Sequence, residues 1–432
     1  MSLTFKSYIF IAALFLAACK KDGDGGYSHN PSAPIVVNTF SPMQGATGTD
    51  ILITGSNFSS DTTKVKVSIN GVPLKIVGAK EDRILAFLPA KTGSGPITVT
   101  IGENSATSTD QFTYQFSYVV TTLAGSGSAG YQDGKGEAAS FNFDGVRSQL
   151  SVDDNLNVYV PDGGNQRIRK IAPDGTVTTL AGSGVKGFED GPAALAKFNN
   201  PCGTTVDANG NVYVSERNGN RIRKITPDGM VSTYVSGPNE AGTKELTSVI
   251  INKNTGAIYW SDFYGDGVYT LKNGNVTRVI NYSLPCTITM DNAGNIYSTH
   301  YDAQTVRKYT YNAADETFDN GVVIAGKNAQ TGWEDGIGES ARFNRPWGIA
   351  IDNNGNLLVS GLGEHRNSNN IRHINTTNNM VTTIAGVGDR GYADGKGNNA
   401  RFDTPTGIAV DKNGDMYVLD LVNQRVRKIT VQ

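Results

Sequence analysis

A block of 39 to 61 residues recurs six times in the C-terminal part of the chain, and this repetition restricts the fold more than any other feature. One copy reads VDANGNVYV over residues 206–214, and another reads VDKNGDMYV over residues 410–418. The aligned residues are Asp153, Asp207, Asn252, Asp291, Asp352 and Asp411, at intervals of 54, 45, 39, 61 and 59 residues. Repeats of this length with several short strands each are typical of β-propellers. We therefore predict six blades.

Each block contains short strand-like segments separated by turn residues. An Asn-Gly or Asp-Asn pair allows the positive φ of a two-residue hairpin, and it joins an inner strand such as 407–410 to the next, 416–418. A third strand, such as 425–429, follows. One such sheet cannot bury both of its faces, so the blades must stack in a ring. The repeats begin with an outermost strand, 118–124, and the chain ends after a third strand, which predicts that 118–124 completes the sixth blade and closes the ring.

The third strand of the repeats carries a motif of its own. It reads NRIRKI over residues 220–225, with similar copies in other repeats. In this motif the chain resembles NHL-repeat proteins, and the resemblance covers residues 118–432. It implies an all-β chain with a six-bladed NHL-type β-propeller. Six-bladed relatives include calcium-dependent lactonases and zinc-dependent lyases, so the resemblance admits binding and catalytic functions alike.

Residues 35–117 have the pattern of a separate, smaller β domain. Short apolar runs such as 51–53 and 97–101 are separated by turn residues at a spacing that fits a β-sandwich. The sequence ITGSNF at 53–58 and the closing FTY at 112–114 resemble the IPT/TIG immunoglobulin-like family. The resemblance implies an immunoglobulin-like sandwich that acts as a spacer.

The N-terminus has the pattern of an export signal. Lys6 precedes an apolar run of 11 residues, 8–18, which is too short to span a bilayer as a mature helix. The run leads into LAAC, which resembles a lipobox, the motif whose cysteine is lipidated. We therefore predict a lipoprotein signal peptide over residues 1–18 and lipidation of Cys19. The following segment, 19–34, is rich in Gly, Asp, Ser and Pro and is predicted to be a disordered tether.

The predicted tether starts with KKDGD at residues 20–24. This start resembles the charged export tags of surface lipoproteins in Gram-negative glycan-degrading bacteria. The resemblance implies a protein of the cell envelope that is lipid-anchored in the outer membrane and exposed at the cell surface. A solvated linker that carries no address is the alternative interpretation.

The charge of the chain argues against a polyanionic partner. The net charge is -2 and the pI is near 6.1, so we expect no nucleic-acid partner. The basic residues of the RIRKI copies are expected to pair with acids between strands. Cys202 and Cys286 occupy equivalent positions two blades apart, which is too far for a disulfide, and are predicted to be free thiols.

Four repeats carry a further motif, a Gly-aromatic-x-Asp-Gly loop. The copies are GYQDG at 130–134, GFEDG at 187–191, GWEDG at 332–336 and GYADG at 391–395, and each Asp is followed eight residues later by a Phe. Repetition favours a structural role, in which the Asp-Gly makes a turn and a short helical piece tucks the Phe under the loop. The aromatic residue within the motif can be structural or can contact a ligand.

Repeats three and four lack this loop, which predicts a recess above blades 3 and 4 on the face that also carries the connections between second and third strands. In blades 3 to 5 those connections depart from the repeat, and departures that do not help the blade indicate function. The candidate ligand-binding residues are Trp260, Asp262, Phe263, Tyr264, His300, Tyr301, Asp302, Trp347, Glu364, His365 and Arg366.

These residue types suit a sugar, because aromatic faces stack on apolar ring faces while planar polar groups bind paired hydroxyls. Degenerate repeats with ordinary surface aromatics are the alternative. Trp260 directly follows a strand and can instead pack between blades. Trp347 holds a channel-lining position, where it can stack on a ligand or plug the channel. The equivalent residues in the other blades are Ser148, Cys202, Thr247, Cys286 and Thr406.

The sequence favours a binding protein over an enzyme. It has no Gly-x-Ser-x-Gly elbow and no paired-carboxylate signature, so no catalytic residue is assigned. A zinc lyase site needs three histidines or an equivalent set. Of the four histidines only His300 and His365 fall on neighbouring candidate loops, so no cofactor is expected and a metal at this pair stays an alternative.

The combination of lipobox, IPT/TIG domain and NHL propeller resembles accessory glycan-binding proteins of bacterial polysaccharide-utilisation systems. It implies non-catalytic capture of a polysaccharide or oligosaccharide, attachment to the membrane by a lipid anchor and association with an outer-membrane transporter complex. One alternative is a propeller hydrolase or lyase, lactonase-like or metal-dependent, that acts on a carbohydrate or peptide. Another is a protein–protein interaction platform in a cell-envelope complex.

Overall fold

The computed structural model describes residues 26–143, 147–236, 245–265, 267–282, 285–362 and 368–432. The predicted signal peptide and Cys19 lie outside this range. The chain divides into two compact units, with a boundary between Ser117 and Tyr118 and with Val431–Gln432 counted with the first unit. No helix in the described residues is long and apolar enough to cross a membrane.

The first unit is a sandwich of two mainly antiparallel sheets. The first sheet contains, in spatial order, Val36–Ser41, Asp50–Ser56, Arg83–Phe87 and Lys75–Lys80. The second contains Gln44–Gly45, Asn104–Tyr114, Gly95–Ile101, Val65–Ile69 and Val72–Pro73, the first of which pairs in parallel with its neighbour. Alternate residues of each strand face a shared core that includes Ile51, Ile53, Val67, Ile97 and Phe112. The immunoglobulin-like sandwich predicted from the sequence is confirmed.

The end of the predicted tether is ordered on this sandwich, which differs from the disorder expected over 19–34. Asn57 of the ITGSNF motif has a left-handed backbone, with φ 59°, and its amide donates to the carbonyl oxygens of Asn30 and Ala33. His29 bonds the backbone oxygen of Asn57 at 2.8 Å and the amide of Asn104 at 3.0 Å. The composition of this segment suggested a disordered linker, because composition does not show hydrogen bonds to residues that are distant in sequence.

In the part of the second unit that the structure describes, six antiparallel sheets of four or five strands are the six predicted blades. From the channel outwards, blade 1 contains Ser151–Val152, Val158–Asp162, Arg167–Ile171, Thr176–Ala181 and Gly134–Lys135. Blade 2 contains Pro201–Val206, Val212–Glu216, Arg221–Ile225, Met230–Ser236 and Gly191–Pro192. Blade 3 contains Leu246–Ile251, Ile258–Asp262, Gly267–Lys272 and Asn275–Asn281.

The remaining three blades follow the same order. Blade 4 contains Pro285–Met290, Ile296–His300, Thr305–Tyr309 and Val322–Gly326, with a small extra hairpin of Tyr311–Asn312 and Thr317–Phe318. Blade 5 contains Pro346–Ile351, Leu357–Gly361, Asn369–Asn375, Met380–Gly388 and Gly336–Ile337. Blade 6 contains Pro405–Val410, Met416–Asp420, Arg425–Val431, Tyr118–Ala124 and Gly395–Lys396. Short 3₁₀ helices cover Gly136–Ala138, Gly163–Asn165, Gly338–Ser340 and Gly397–Asn399.

The ring is closed by strand exchange, as predicted. Tyr118–Ala124 lies between Arg425–Val431 and Gly395–Lys396 in the sheet of blade 6. The innermost strands neighbour one another around a complete circuit, and the circuit ends with blade 6 against blade 1. The first strand of the unit and its last strand therefore belong to the same blade.

Apolar clusters between neighbouring blades hold the ring together. One cluster combines Tyr159 and Ile168 of blade 1 with Val214 and Ile225 of blade 2, and similar clusters join blades 2 and 3, 3 and 4, 4 and 5, and 6 and 1. Residues that alternate along each strand supply the two opposite faces of a blade. Since each face is buried only by the next blade, no blade can be removed without exposing apolar surface.

The hairpins between first and second strands are longer than the two-residue turn suggested by their Asn-Gly pairs. In blade 2 the residues Val206 and Val212 still face each other, and five residues connect them. Asp207 fixes this connection, because its carboxylate accepts from the backbone N–H groups of Asn209 and Asn211 at 3.0 and 2.8 Å. The repeat Asp is therefore a structural residue of the turn.

The Asp of each Gly-aromatic-x-Asp-Gly loop also has the structural role predicted for it. Its carboxylate accepts from a buried arginine of the third strand and from the backbone N–H of a threonine in the fourth strand. The four sets of acid, arginine and threonine are Asp133, Arg169 and Thr179; Asp190, Arg223 and Thr233; Asp335, Arg372 and Thr383; and Asp394, Arg427 and Thr122. The phenylalanine that follows each loop is buried beneath the arginine, at 5.1–5.2 Å from ring centroid to guanidinium.

Candidate functional site

Trp347 closes one end of the central channel. The equivalent residues of the other blades, Ser148, Cys202, Thr247, Cys286 and Thr406, are small and buried. The much larger indole in blade 5 is only 2 % exposed, so it fills the space that five small side chains leave. Of the two roles considered for Trp347, the structure supports the plug.

Three further aromatic side chains pack around this indole. Phe263, just past the second strand of blade 3, lies 5.7 Å from Trp347 between ring centroids. Tyr301, in the equivalent connection of blade 4, lies 6.1 Å from Trp347 with the rings at 86°. Tyr264 lies edge-on to Phe263 at 5.0 Å and is 53 % exposed. We call Phe263, Tyr264, Tyr301 and Trp347 the channel-mouth cluster.

Two arginines complete the channel-mouth cluster on its polar side. The guanidinium of Arg147 lies 5.4 Å from the ring centre of Tyr301 and 5.1 Å from that of Trp347, and the guanidinium of Arg345 lies 4.7 Å from Tyr301. These distances are those of cation–π contacts. Burial raises the pKa of Tyr301, while the two cations oppose that rise. The phenol is therefore neutral at ordinary pH and can donate a hydrogen bond.

Trp260 does not belong to this site, contrary to prediction. It is 1 % exposed and lies in the core between blades 2 and 3. Its ring stacks on Tyr269 at 6.4 Å with 15° between the planes. The physical reason is strand alternation: Trp260 lies within the second strand on a face covered by the next blade, whereas Phe263 lies beyond the end of that strand.

Asp262 and His300 are also buried inside their blades and do not face a ligand. By register they occupy the place of Asp162, Glu216 and Asp420 in other blades. Asp262 accepts from the backbone N–H of Gly265 at 2.7 Å. His300 packs against Tyr282 at 4.5 Å and bonds the hydroxyl of Tyr309 at 3.3 Å. Their prediction as ligand contacts is wrong because they fill a structural position of the repeat.

Of the four remaining candidate residues, one is exposed and three lie outside the described residues. Asp302 is exposed beside Tyr301, where its carboxylate is available to a ligand. Glu364, His365 and Arg366 lie outside the described residues, so of the histidine pair in the metal alternative only His300 is described.

A cavity that the sequence did not suggest opens at the opposite end of the channel from the channel-mouth cluster. It has a volume of about 770 Å³ and is lined by the hairpins between first and second strands, including Thr205, Asn252 and Thr289. Gln149 closes its floor by donating to the backbone oxygen of Ile288 at 3.3 Å. The residues that line this cavity include no aromatic ring, so it lacks the stacking surface that the channel-mouth cluster offers.

Arg147 and Arg345 are site residues that the sequence reasoning missed. Arg345 has a left-handed backbone and precedes the proline that starts the inner strand, as do Asn200 and Thr404 in blades 2 and 6. An arginine where other repeats have a short polar side chain was a usable signal. Arg147 precedes the irregular inner strand of blade 1, where the repeat alignment gives no comparable signal.

Neither Cys202 nor Cys286 forms a disulfide within the described residues, as predicted, and both are fully buried. Burial raises the pKa of the Cys202 thiol to about 12 and raises the pKa of the Cys286 thiol as well. Both side chains are therefore neutral packing groups near the channel mouth.

Two family matches agree with the two units. Residues 34–116 match the IPT/TIG domain, and residues 402–429 match the NHL repeat. The chain thus carries an IPT/TIG domain followed by a propeller with at least one recognised NHL repeat.

Solved structures share this two-unit fold at low sequence identity. A Bacteroides thetaiotaomicron protein of unknown function aligns over 94 % of this chain and 100 % of its own, with 20 % identity and a TM-score of 0.66. An auxiliary nutrient binding protein from Bacteroides ovatus aligns over 94 % of this chain and 100 % of its own, with 23 % identity and a TM-score of 0.60. At these identities the likeness establishes the fold.

Among curated proteins the similarity is partial. The SUPPRESSOR OF QUENCHING 1 protein of Arabidopsis thaliana is 23 % identical over 59 % of this chain. The chain spans only 27 % of the length of that relative.

Proposed function

We propose that this protein binds an extracellular glycan without chemical conversion and captures it at the bacterial cell surface. The observation that carries the proposal is the channel-mouth cluster, in which an exposed Tyr264 and a partly exposed Tyr301 lie above a packed aromatic floor. Tyrosine rings combine a flat apolar face with a hydroxyl, which suits the two faces of a sugar.

The polar groups around the cluster support binding of a hydroxyl-rich ligand. Asp302 offers carboxylate oxygens that can accept from a pair of sugar hydroxyls. The guanidinium groups of Arg147 and Arg345 lie 5.4 and 4.7 Å from the ring centre of Tyr301, and these contacts restrict the ring before a ligand binds. A fixed ring loses little freedom on binding, which favours affinity.

The likeness to nutrient binding proteins from Bacteroides supports the same proposal, since they share the fold over nearly the whole chain. We propose further that Cys19 is lipidated, that the protein is anchored in the outer membrane and exposed at the cell surface, and that it serves an outer-membrane transporter.

Affinity electrophoresis against a panel of polysaccharides, with an assay for released sugars alongside, tests the function. Retarded migration without released sugars supports glycan capture. Release of sugars would contradict capture and support the hydrolase or lyase alternative.

The channel-mouth cluster gives a specific mutational prediction. Tyr264→Ala should weaken binding of the retarding polysaccharide about tenfold, since a stacked aromatic pair contributes about 0.5–1.5 kcal/mol beyond its area burial. Tyr301→Ala should act in the same direction. The melting temperature of Tyr264→Ala should stay nearly unchanged, because its ring is 53 % exposed. Affinity electrophoresis and thermal unfolding measure the two quantities.

Tyr392→Ala is the matched control, because Tyr392 is also an exposed tyrosine but lies on the outer loop of blade 6. Its affinity should equal that of the wild type. If Tyr392→Ala weakens binding and Tyr264→Ala does not, the ligand binds the outer loops. Trp347→Ala is unsuitable as a pure binding variant, because the buried indole also stabilises the channel mouth.

A further prediction concerns the anchor. Cys19→Ala should move the protein from the membrane fraction to the soluble fraction. The variant lacks the residue that carries the lipid, so no acyl chain holds it in the membrane. Fractionation followed by immunoblotting measures this. A variant that still sediments with membranes would show that another anchor exists.

A further inference from the structure

The cavity at the end of the channel opposite the channel-mouth cluster has a floor made by one long side chain. Gln149 occupies a channel position at which the other five blades have small residues, namely Gly203, Ser248, Thr287, Gly348 and Gly407. Its amide nitrogen donates to the backbone oxygen of Ile288 in blade 4 at 3.3 Å, and its amide oxygen accepts from the hydroxyl of Ser248 in blade 3. Gln149 thus crosses the channel, so the cavity is closed on its inner side and opens between the hairpins.

Two positions further along each inner strand, a second ring of residues lines the cavity. Its six members are Ser151, Thr205, Ile250, Thr289, Ala350 and Ala409. Blades 1, 2 and 4 thus supply hydroxyl groups, blade 3 supplies a branched apolar chain, and blades 5 and 6 supply only methyl groups. The cavity has a volume of about 770 Å³, which is within the range of small-molecule sites.

The hydroxyls of Thr205 and Thr289 differ from the other hydroxyls of this lining. Ser151 donates to the hydroxyl of Thr204 at 3.0 Å, and Thr204 donates to the backbone oxygen of Tyr159 at 3.0 Å. Thr205 and Thr289 are each only 9 % exposed, and within the described residues neither side chain has a hydrogen-bond partner. Since buried polar groups normally have such a partner, two unused hydroxyls in a cavity of this size indicate a place for a ligand.

The wall near the mouth of the cavity is aliphatic. The last residue of each inner strand lines it and is half-buried; these residues are Val152, Val206, Ile251, Met290, Ile351 and Val410. The charged residues of the lining, Lys253, Asp291 and Asp352, belong to the hairpins at the mouth. Both carboxylates accept from backbone N–H groups of their own hairpins. The interior therefore offers hydroxyl groups and aliphatic surface, which suit a neutral ligand.

Hydrogen bonds between neighbouring hairpins hold the mouth of the cavity in place. Asn254 of blade 3 donates to the backbone oxygen of Asn292 in blade 4 at 2.9 Å. Asn353 of blade 5 donates to the backbone oxygens of Asp411 and Lys412 in blade 6 at 3.1 and 3.0 Å. A mouth that is formed before binding loses little conformational freedom when a ligand enters, which favours affinity.

We infer that this cavity is a second ligand site, which binds a neutral mono- or disaccharide through the hydroxyls of Thr205 and Thr289. Sugar hydroxyls can both donate to and accept from these side chains, while the C–H groups of the sugar ring pack against the aliphatic wall. An acyl chain is disfavoured, because it would cover the two hydroxyls without bonding to them. The inference takes its ligand class from the proposed function but uses a separate site.

Met290 reports on this site directly, because among the described methionines it is the one that lines the cavity. The intact protein is labelled with carbon-13 in the methionine methyl groups, and Met290→Leu assigns the signal. The probes are glucose, galactose, mannose, xylose, N-acetylglucosamine, cellobiose and maltose, each titrated separately. At least one sugar should shift the Met290 signal to saturation, with a dissociation constant of about 1 mM or below. The inference is overturned when none of them does.

The two threonines are tested by removing their hydroxyls with little change in shape. Thr205→Val and Thr289→Val should each weaken binding of the responding sugar about fivefold, the effect of one lost hydrogen bond. Thr178→Val, on the outer strand of blade 1, is the matched control, because Thr178 is exposed and distant from the channel. It should leave the binding unchanged. Wild-type affinity in both cavity variants contradicts the inference.

Two further probes test the class of ligand. Decanoate and the tripeptide Ala-Val-Ala should leave the Met290 signal in place at concentrations at which the responding sugar saturates it. An equal shift with decanoate would assign the cavity to an aliphatic acid, and an equal shift with the tripeptide would assign it to a peptide. Either result overturns the sugar site.

The two proposals fail separately. A protein that binds polysaccharide through Tyr264 but shows no sugar response at Met290 contradicts only the cavity site. A saturable sugar response at Met290, together with unchanged polysaccharide binding by Tyr264→Ala, contradicts only the channel-mouth site.

Discussion

A variant that lacks Tyr118–Ala124 is expected to lose cooperative unfolding and to aggregate. The deleted strand lies between Arg425–Val431 and Gly395–Lys396 in blade 6, so its removal leaves both without a neighbour on one side. It also removes Val120 and Ala124, which are completely buried. Since folded proteins are stable by only about 5–15 kcal/mol, loss of a whole strand from blade 6 should remove most of that stability. Exposed strand edges then promote association.

Size-exclusion chromatography and thermal unfolding of the deletion variant measure this effect. A synthetic peptide with the sequence of residues 116–126, added during refolding, should restore part of the monomeric, cooperatively unfolding species. A peptide of the same composition in scrambled order is the control. A deletion variant that stays monomeric and unfolds in one sharp transition would show that the ring does not depend on strand exchange.

The closed ring could be predicted because its cause lies in the order of repeated segments. The repeats start with an outermost strand that has no blade of its own, and the last repeat lacks a fourth strand. Both are satisfied when the first strand becomes the fourth strand of the last blade. The same reasoning gave the roles of the repeated Asp133 and Phe141, since a residue that recurs in equivalent loops is needed by the loop. Repetition in the sequence thus reports on interactions within and between blades.

Backbone conformations that depend on side-chain hydrogen bonds were harder to predict. Residues 26–34 are rich in small and polar side chains, and their order depends on Asn57, a residue of another segment with φ 59°. The turn after Val206 is five residues long because Asp207 binds two backbone N–H groups, whereas the Asn-Gly pair alone suggested a shorter hairpin. In both cases the hydrogen bonds of a side chain fix a backbone conformation that propensity alone does not predict.

The candidate site shows the same division. Phe263, Tyr264, Tyr301 and Trp347 were predicted from their departure from the repeat, and they do come together. Asp262 also departs from the repeat when the connections alone are aligned without the strand register. Placed in register with Asp162 of blade 1, it is the structural acid of its blade. A residue at a strand end that departs from the repeat sequence therefore indicates function only when the strand register shows that it has no structural place in the blade.

Phe198→Ala should lower the stability of the propeller by about 3–5 kcal/mol, the usual cost of removing a buried phenylalanine ring. Phe198 is completely buried, and the guanidinium of Arg223 lies 5.1 Å from its ring centre. The alanine variant leaves a cavity below a charged group whose position depends on that ring. For a unit of this size we expect the melting temperature to fall by roughly 5–10 °C. Differential scanning calorimetry measures the change.

Phe188→Ala is the matched control, because Phe188 belongs to the same loop but is 42 % exposed and only covers Arg221. Its loss should cost about 0.5–1 kcal/mol, the value of an exposed cation–π contact. Below its melting temperature, Phe198→Ala should bind polysaccharide as the wild type does, because its ring lies in the core between blades 1 and 2. If Phe198→Ala instead weakens binding without lowering the melting temperature, the repeated loops form the ligand site. The channel-mouth cluster would then be an ordinary apolar plug.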